Sequence, residues 1–131
     1  MLAAFGALLT GQHMTTFTGT SHKDTFSGTS GNDTFNMGQG GNDTVGGGAG
    51  SDTFNFGAAF TALDHISGGS GNDVLNLNGD YTGTHAVKFG AATMTGVETI
   101  HLGKGHSYTL TTNDATVGNG KTLTVKHRPT S

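Results

Sequence analysis

A nine-residue unit recurs in register along the first half of the chain, and it restricts the fold more than any other feature. Gly19–Ser27 reads GTSHKDTFS, Gly28–Asn36 reads GTSGNDTFN and Gly38–Gly46 reads GQGGNDTVG. Gly47–Asn55 follows as GGAGSDTFN, and Gly68–Asn76 as GGSGNDVLN. Every copy has glycine first, aspartate sixth and an apolar residue eighth: Phe26, Phe35, Val45, Phe54 and Leu75. A degenerate copy, Asp64-His65-Ile66, places its aspartate nine residues before Asp73. Similarity at a fixed short period marks a solenoid, in which each unit is buried only by its neighbours.

Each position has a physical job. The glycines let the backbone double back in a tight turn. Aspartate supplies a hard oxygen at the end of that turn. The D-x-U-x run is a strand of about three residues with its apolar side chain inward, as the two-residue strand period requires. Two units, about 18 residues, make one coil, and strands then stack at about 4.8 Å. Alternate units share a side, so Asp24 faces Asp43, Asp33 faces Asp52, and Asp52 faces Asp73. Stacked carboxylates repel unless they are protonated or bridged by a cation.

Calcium suits such corners. It accepts about 6–8 oxygens, including backbone carbonyls, in tolerant geometry, whereas magnesium demands a strict octahedron and dehydrates reluctantly. Zinc is disfavoured, because no His or Cys recurs in the unit.

Composition points the same way. Only 32% of the 131 residues are hydrophobic, with 24 glycines and a single proline. An ordinary core of this length wants more apolar side chains, so something else must help to hold the chain together. The net charge of −3 hides an asymmetry. Asp24, Asp33, Asp43, Asp52, Asp64, Asp73 and Asp80 span a stretch with no Lys or Arg. Such a stretch attracts cations and repels nucleic acid, whose phosphates need clustered bases. No cysteine is present, which excludes disulfides and thiolate metal sites. Residues 1–9, MLAAFGALL, are apolar but too short for a membrane span, and no basic residue precedes them. No N-terminal signal peptide is recognised there, and residues 1–18 read as an appendage.

The unit resembles G-G-x-G-x-D-x-U-x, the nonapeptide of the RTX (repeats-in-toxin) calcium-binding family. Gly47–Asn55 and Gly68–Asn76 match it fully. Gly28–Asn36 differs only at Thr29, Gly19–Ser27 carries Thr20 and His22, and Gly38–Gly46 carries Gln39 after an inserted Met37. Met94–Leu102 and Ser107–Val117 look like segments that follow such repeats in bacterial secreted proteins. The resemblance implies an all-β, right-handed parallel β-roll with a β-strand C-terminal extension. It implies several Ca²⁺ ions, each held by aspartates and turn carbonyls of two stacked coils. Carried over, the sets are Gly28, Ser30 and Asp33 with Gly48, Gly50 and Asp52, and Gly47, Ala49 and Asp52 with Gly69, Gly71 and Asp73. Gly38, Gly40 and Asp43, with Asp24 and Asp64, form the corresponding set on the other side. It also implies a secreted, extracellular bacterial protein.

Beyond Val74 the turn motif stops. Val74–Leu77, His85–Phe89, Val97–Leu102, Ser107–Thr111 and Thr122–Lys126 read as strands between Gly, Asn and Asp turns. The organisation expected is a roll over 19–78, a β-strand continuation or cap over 79–127, and a tail over 128–131. Open solenoid ends expose strand edges, which leaves end-to-end or face-to-face self-association open. The close on KHRPTS after one strand fits a fragment or a shifted reading frame. Gly120-Lys121-Thr122 mimics a P-loop, but Ala115 stands where its first glycine belongs. The rival function is a small metal-dependent hydrolase of phosphate or carboxylate esters. It would use His22, His65, His101 and His106 to hold Zn²⁺ or another transition metal.

Overall fold

Three-residue strands cannot stand alone, because each has one inward side chain and backbone groups that need partners on both sides. Stacking in parallel solves both problems here. In the structure, a computed structural model that describes residues 14–118 and 120–127, nearly every strand is parallel. The larger sheet stacks β1 (Thr16–Thr18), β3 (Thr34–Asn36), β5 (Thr53–Gly57), β7 (Val74–Leu77), β10 (Thr99–Leu102) and β12 (Thr124–His127). The facing sheet stacks β2 (Thr25–Ser27), β4 (Thr44–Ala49), β6 (His65–Ser70) and β9 (Met94–Thr95). A third pair joins β8 (Val87–Lys88) to β11 (Leu110–Thr111). The chain is thus a parallel β-solenoid of about five turns, its strands alternating between the two long sheets.

Register follows the repeat. Phe17, Phe35, Phe54, Leu75, Ile100 and Val125 form one ladder. Phe26, Val45, Ile66 and Met94 form the opposite one. Phe17, Phe35 and Phe54 stack nearly coplanar, with centroids 4.8 and 5.0 Å apart. On the outside of the same strands Asn36, Asn55 and Asn76 run an amide ladder, Nδ2 donating to the Oδ1 below at 3.0 and 2.7 Å. The inserted Met37 is fully buried and lies against Gly19, so the extra residue fills the core.

Coils lengthen upward. Hydrogen-bonded corner residues lie 19 apart low in the stack, 21 apart from Asp52 to Asp73, and 25 apart from Asp73 to Glu98. The added residues bring Phe56, Phe60, Tyr81, Val87, Phe89 and Val97 into the same apolar core. Tyr81 ties these coils together. Its hydroxyl accepts from Phe60 N–H at 3.1 Å and donates to the Gly57 carbonyl, and its ring stacks on Tyr108.

The structure refines the strand expectations at the upper end. The run expected from His85 begins as a 3₁₀ turn over Gly83–His85, and its strand is only Val87–Lys88. Helix α1 (Asp114–Val117) is a single turn fixed locally: Asn113 Oδ1 accepts from Ala115 N–H, and Thr116 Oγ1 accepts from Asn113 N–H. At the lower end β1 already pairs with β3, so stacking begins before Gly19. The rest of the N-terminal appendage, residues 1–13, and the tail 128–131 lie outside the described residues. Among the described residues no helix is long and apolar enough to cross a membrane.

Candidate metal centre

The repeat period sets sixth-position carboxylates in two columns. One holds Asp33, Asp52 and Asp73, and the other Asp24, Asp43 and Asp64. In the first, Asp33 N–H donates to Asp52 Oδ1 and Asp52 N–H to Asp73 Oδ1, each at 2.8 Å. In the second, Asp24 N–H donates to Asp43 Oδ1 at 2.9 Å and Asp43 N–H to Asp64 Oδ1 at 2.8 Å. One oxygen of each upper aspartate therefore staples two coils. Asp64 belongs to its column although its own turn lacks the glycine pattern.

The second oxygen is a different matter. Asp43, Asp52 and Asp73 are each about 1% exposed, and their Oδ2 atoms have no hydrogen-bond partner among the described residues. A buried polar atom left unpaired costs about 1–3 kcal/mol, and a charged one more. Burial pushes the carboxyls of Asp43, Asp52, Asp64 and Asp73 up, against the opposing pull of the stapling N–H groups. Neighbouring carboxylates add to the rise at Asp43, Asp52 and Asp73. Asp73, pressed by Asp52 and Glu98, reaches about 6.

Carbonyl oxygens crowd these same atoms. A Cβ at Gly47 would collide with both Asp52 Oδ2 and the Gly68 carbonyl of the next coil. The same holds at Gly68 for Asp73 Oδ2 and the Gly96 carbonyl, and at Gly28 for the Gly47 carbonyl and Asp33 Oδ2. Only a residue without a side chain leaves these oxygens together. The turns themselves are stacked: Gly48 pairs with Gly69 and Ala49 with Ser70, and Ala49 N–H donates to the Thr29 carbonyl. Gly48 and Gly50 take φ of 96° and 103°, Gly69 and Gly71 of 95° and 120°, a region that side chains other than glycine rarely enter. Gly40 lies in the same region, φ 96°, in the turn that leads to Asp43, next to exposed Gly38. Exposed Ser30 lies in the turn between Gly28 and Asp33. Buried carboxylate and carbonyl oxygens without nitrogen or sulfur are the donor set of a hard cation, and calcium's loose geometry suits it.

One corner residue escaped the reading of the repeat. Glu98 continues the first column: its carboxylate accepts from Asp73 N–H at 2.8 Å. The signal was there. Gly96–Leu102, GVETIHL, aligns with Gly71–Leu77, GNDVLNL, with Glu for Asp.

The four histidines are not brought together. His22 is an exposed turn residue whose carbonyl lies under Gly41. His65 is exposed on β6 with Nδ1 2.9 Å from the Ala92 carbonyl, and His101 faces outward on β10. His106 sits 3.3 Å from Asp80, whose carboxyl is held below its usual range chiefly by the Ser107 N–H. Among the described residues no group of three His, Asp or Glu side chains comes together to hold a transition metal.

Comparison with known proteins agrees with this geometry. The family model of the RTX calcium-binding nonapeptide repeat matches four copies over residues 18–54 and 63–81. No curated protein and no solved structure matches the chain.

Proposed function

Residues 18–54 and 63–81 belong to the RTX calcium-binding nonapeptide repeat family, and from that premise we propose a module that completes its folding only as calcium binds between its coils. The observation that supports this most is the set of three buried, unpartnered Oδ2 atoms on Asp43, Asp52 and Asp73. Without a cation each is a desolvated carboxylate oxygen, in a column of like charges, in a stretch that has no Lys or Arg. Calcium supplies the positive charge and the oxygen coordination that would relieve all three. Asp43, Asp52 and Asp73 hold the ions, together with the carbonyls of the glycine turns stacked against them, and Glu98 supports Asp73 from above.

The rest follows from linkage. A chain whose native state holds the ion and whose unfolded state does not has its binding free energy added to its folding free energy. Extracellular calcium modules bind at about 10⁻⁴–10⁻³ M. Such a chain stays loose in low-calcium cytosol and coils up outside the cell. This is the use of a folding and secretion module carried by a larger exported protein.

Circular dichroism of the purified chain tests the reading. Calcium at millimolar level is expected to deepen the β spectrum, chelator to remove that gain, and magnesium at the same concentration to do little. A β spectrum that ignores both calcium and chelator contradicts it.

A further inference from the structure

The six aspartate corners are of two kinds, and a threonine separates them. At Asp24, Thr20 N–H donates to Oδ2 at 2.6 Å and Thr20 Oγ1 lies 3.1 Å from both carboxylate oxygens. At Asp33, Thr29 does the same: its N–H donates to Oδ2 at 2.6 Å, and Oγ1 lies 3.0 and 2.9 Å from Oδ1 and Oδ2. At Asp64, Thr61 N–H donates to Oδ2 at 2.8 Å. In all three turns the hydroxyl is itself oriented by an N–H two residues on, from His22 at 3.1 Å, Gly31 at 3.0 Å and Leu63 at 3.2 Å. With a lone pair engaged from that side, the hydroxyl proton is left for the carboxylate. Where Thr20 and Thr29 stand in their repeats, the other three have Gln39, Gly48 and Gly69. Those are the repeats of Asp43, Asp52 and Asp73, whose Oδ2 atoms are unpartnered.

We propose that Thr20, Thr29 and Thr61 are locks that withdraw Asp24, Asp33 and Asp64 from metal coordination. Calcium then takes its carboxylate oxygens from Asp43, Asp52 and Asp73. A carboxylate that already accepts charge-assisted bonds from an N–H and a hydroxyl gains little from a cation, and coordination would strip those donors of their acceptor. Asp24 and Asp64 bound the column of which Asp43 is the middle, and Asp33 opens the other. Of the three, Asp24 has a described coil on one side only, whereas Asp33 also accepts from Thr15 N–H at 2.8 Å and β9 stacks on the strand that follows Asp64. The threonines satisfy these three carboxylates with the chain's own donors.

The inference rests on the calcium reading, and one experiment separates the two. Calcium bound per chain is counted by equilibrium dialysis and elemental analysis on the full chain. Thr29→Gly gives Gly28–Asp33 the same six residues as Gly68–Asp73, GGSGND. It is expected to bind one more ion than wild type, while Thr29→Ser, which keeps the hydroxyl, binds the wild-type number. Adding Asp33→Asn to Thr29→Gly is expected to remove the gained ion, and Asp52→Asn alone to lose one. Circular dichroism at saturating calcium confirms that each variant is folded, and Thr20→Gly repeats the gain test at Asp24 should Thr29→Gly unfold. An unchanged count in a folded glycine variant, or a gained ion in the serine variant, overturns the lock. Wild type that binds no calcium overturns the calcium reading instead.

Discussion

The coils up to Leu77 and the coils above them close the same solenoid by different means. In the lower coils β3 to β7 each contribute one or two buried apolar side chains, and their corners are built from buried carboxylates. In the upper coils the carboxylates give out. Glu98 is the last of its column, and above the Asp64 turn stands Thr93, a buried neutral group whose hydroxyl donates to the Ala62 carbonyl and accepts from Gly90 N–H. In their place the longer coils bring Tyr81, Val87, Phe89 and Val97 to the core. A narrow coil has too little apolar surface to close itself and needs its corners neutralised. A wider one can close on side chains alone.

Removing calcium sharpens that contrast most. Hydrogen exchange in chelator is expected to lose orders of magnitude of protection across β3, β5 and β7, and much less at Tyr81, Val87 and Tyr108. Equal loss in both regions breaks the comparison. Next in size, Phe35→Ala removes the fully buried middle ring of the aromatic stack. It should cost about 3–5 kcal/mol in denaturant unfolding at saturating calcium.

The carboxyls raised by burial all lie in the lower coils. Asp73 has its folded pKa raised from 3.8 to about 6, so between those values the native state binds more protons than the unfolded chain. Metal-free stability therefore falls as pH rises through that window, by on the order of 2 kcal/mol. The calcium-free chain should melt higher at pH 5 than at pH 7.5, and saturating calcium should reverse or flatten this slope. The smallest effect belongs to the upper coils. Tyr81→Phe leaves the Gly57 carbonyl and Phe60 N–H without their partner, at about 1–2 kcal/mol. Its cost is expected to be the same at any calcium concentration above saturation.

What the sequence disclosed divides along the same line. Asp at the sixth position and Phe, Val or Leu at the eighth are strictly local, so the columns Asp33–Asp52–Asp73 and Asp24–Asp43 and the Phe35–Phe54 ladder could be read directly. Even Asp64 was legible, by its distance from Asp73. Glu98 was legible only by aligning GVETIHL with GNDVLNL, because a 25-residue coil breaks the period and the residue type changes. The meeting of Phe60, Tyr81 and Phe89 depends on how long coils fold back, which no spacing encodes. Helix α1 is one turn, too short to carry a periodic pattern. The difference between Thr29 and Gly48 read as a blemish in a motif, and only the hydrogen bonds to Asp33 gave it a consequence.

Crystals grown in calcium, with diffraction recorded at a wavelength where calcium scatters anomalously, test the account most directly. Ions are expected about 2.3–2.6 Å from Oδ2 of Asp43, Asp52 and Asp73. Anomalous maps flat at all three oxygens, from crystals saturated with calcium, would contradict it.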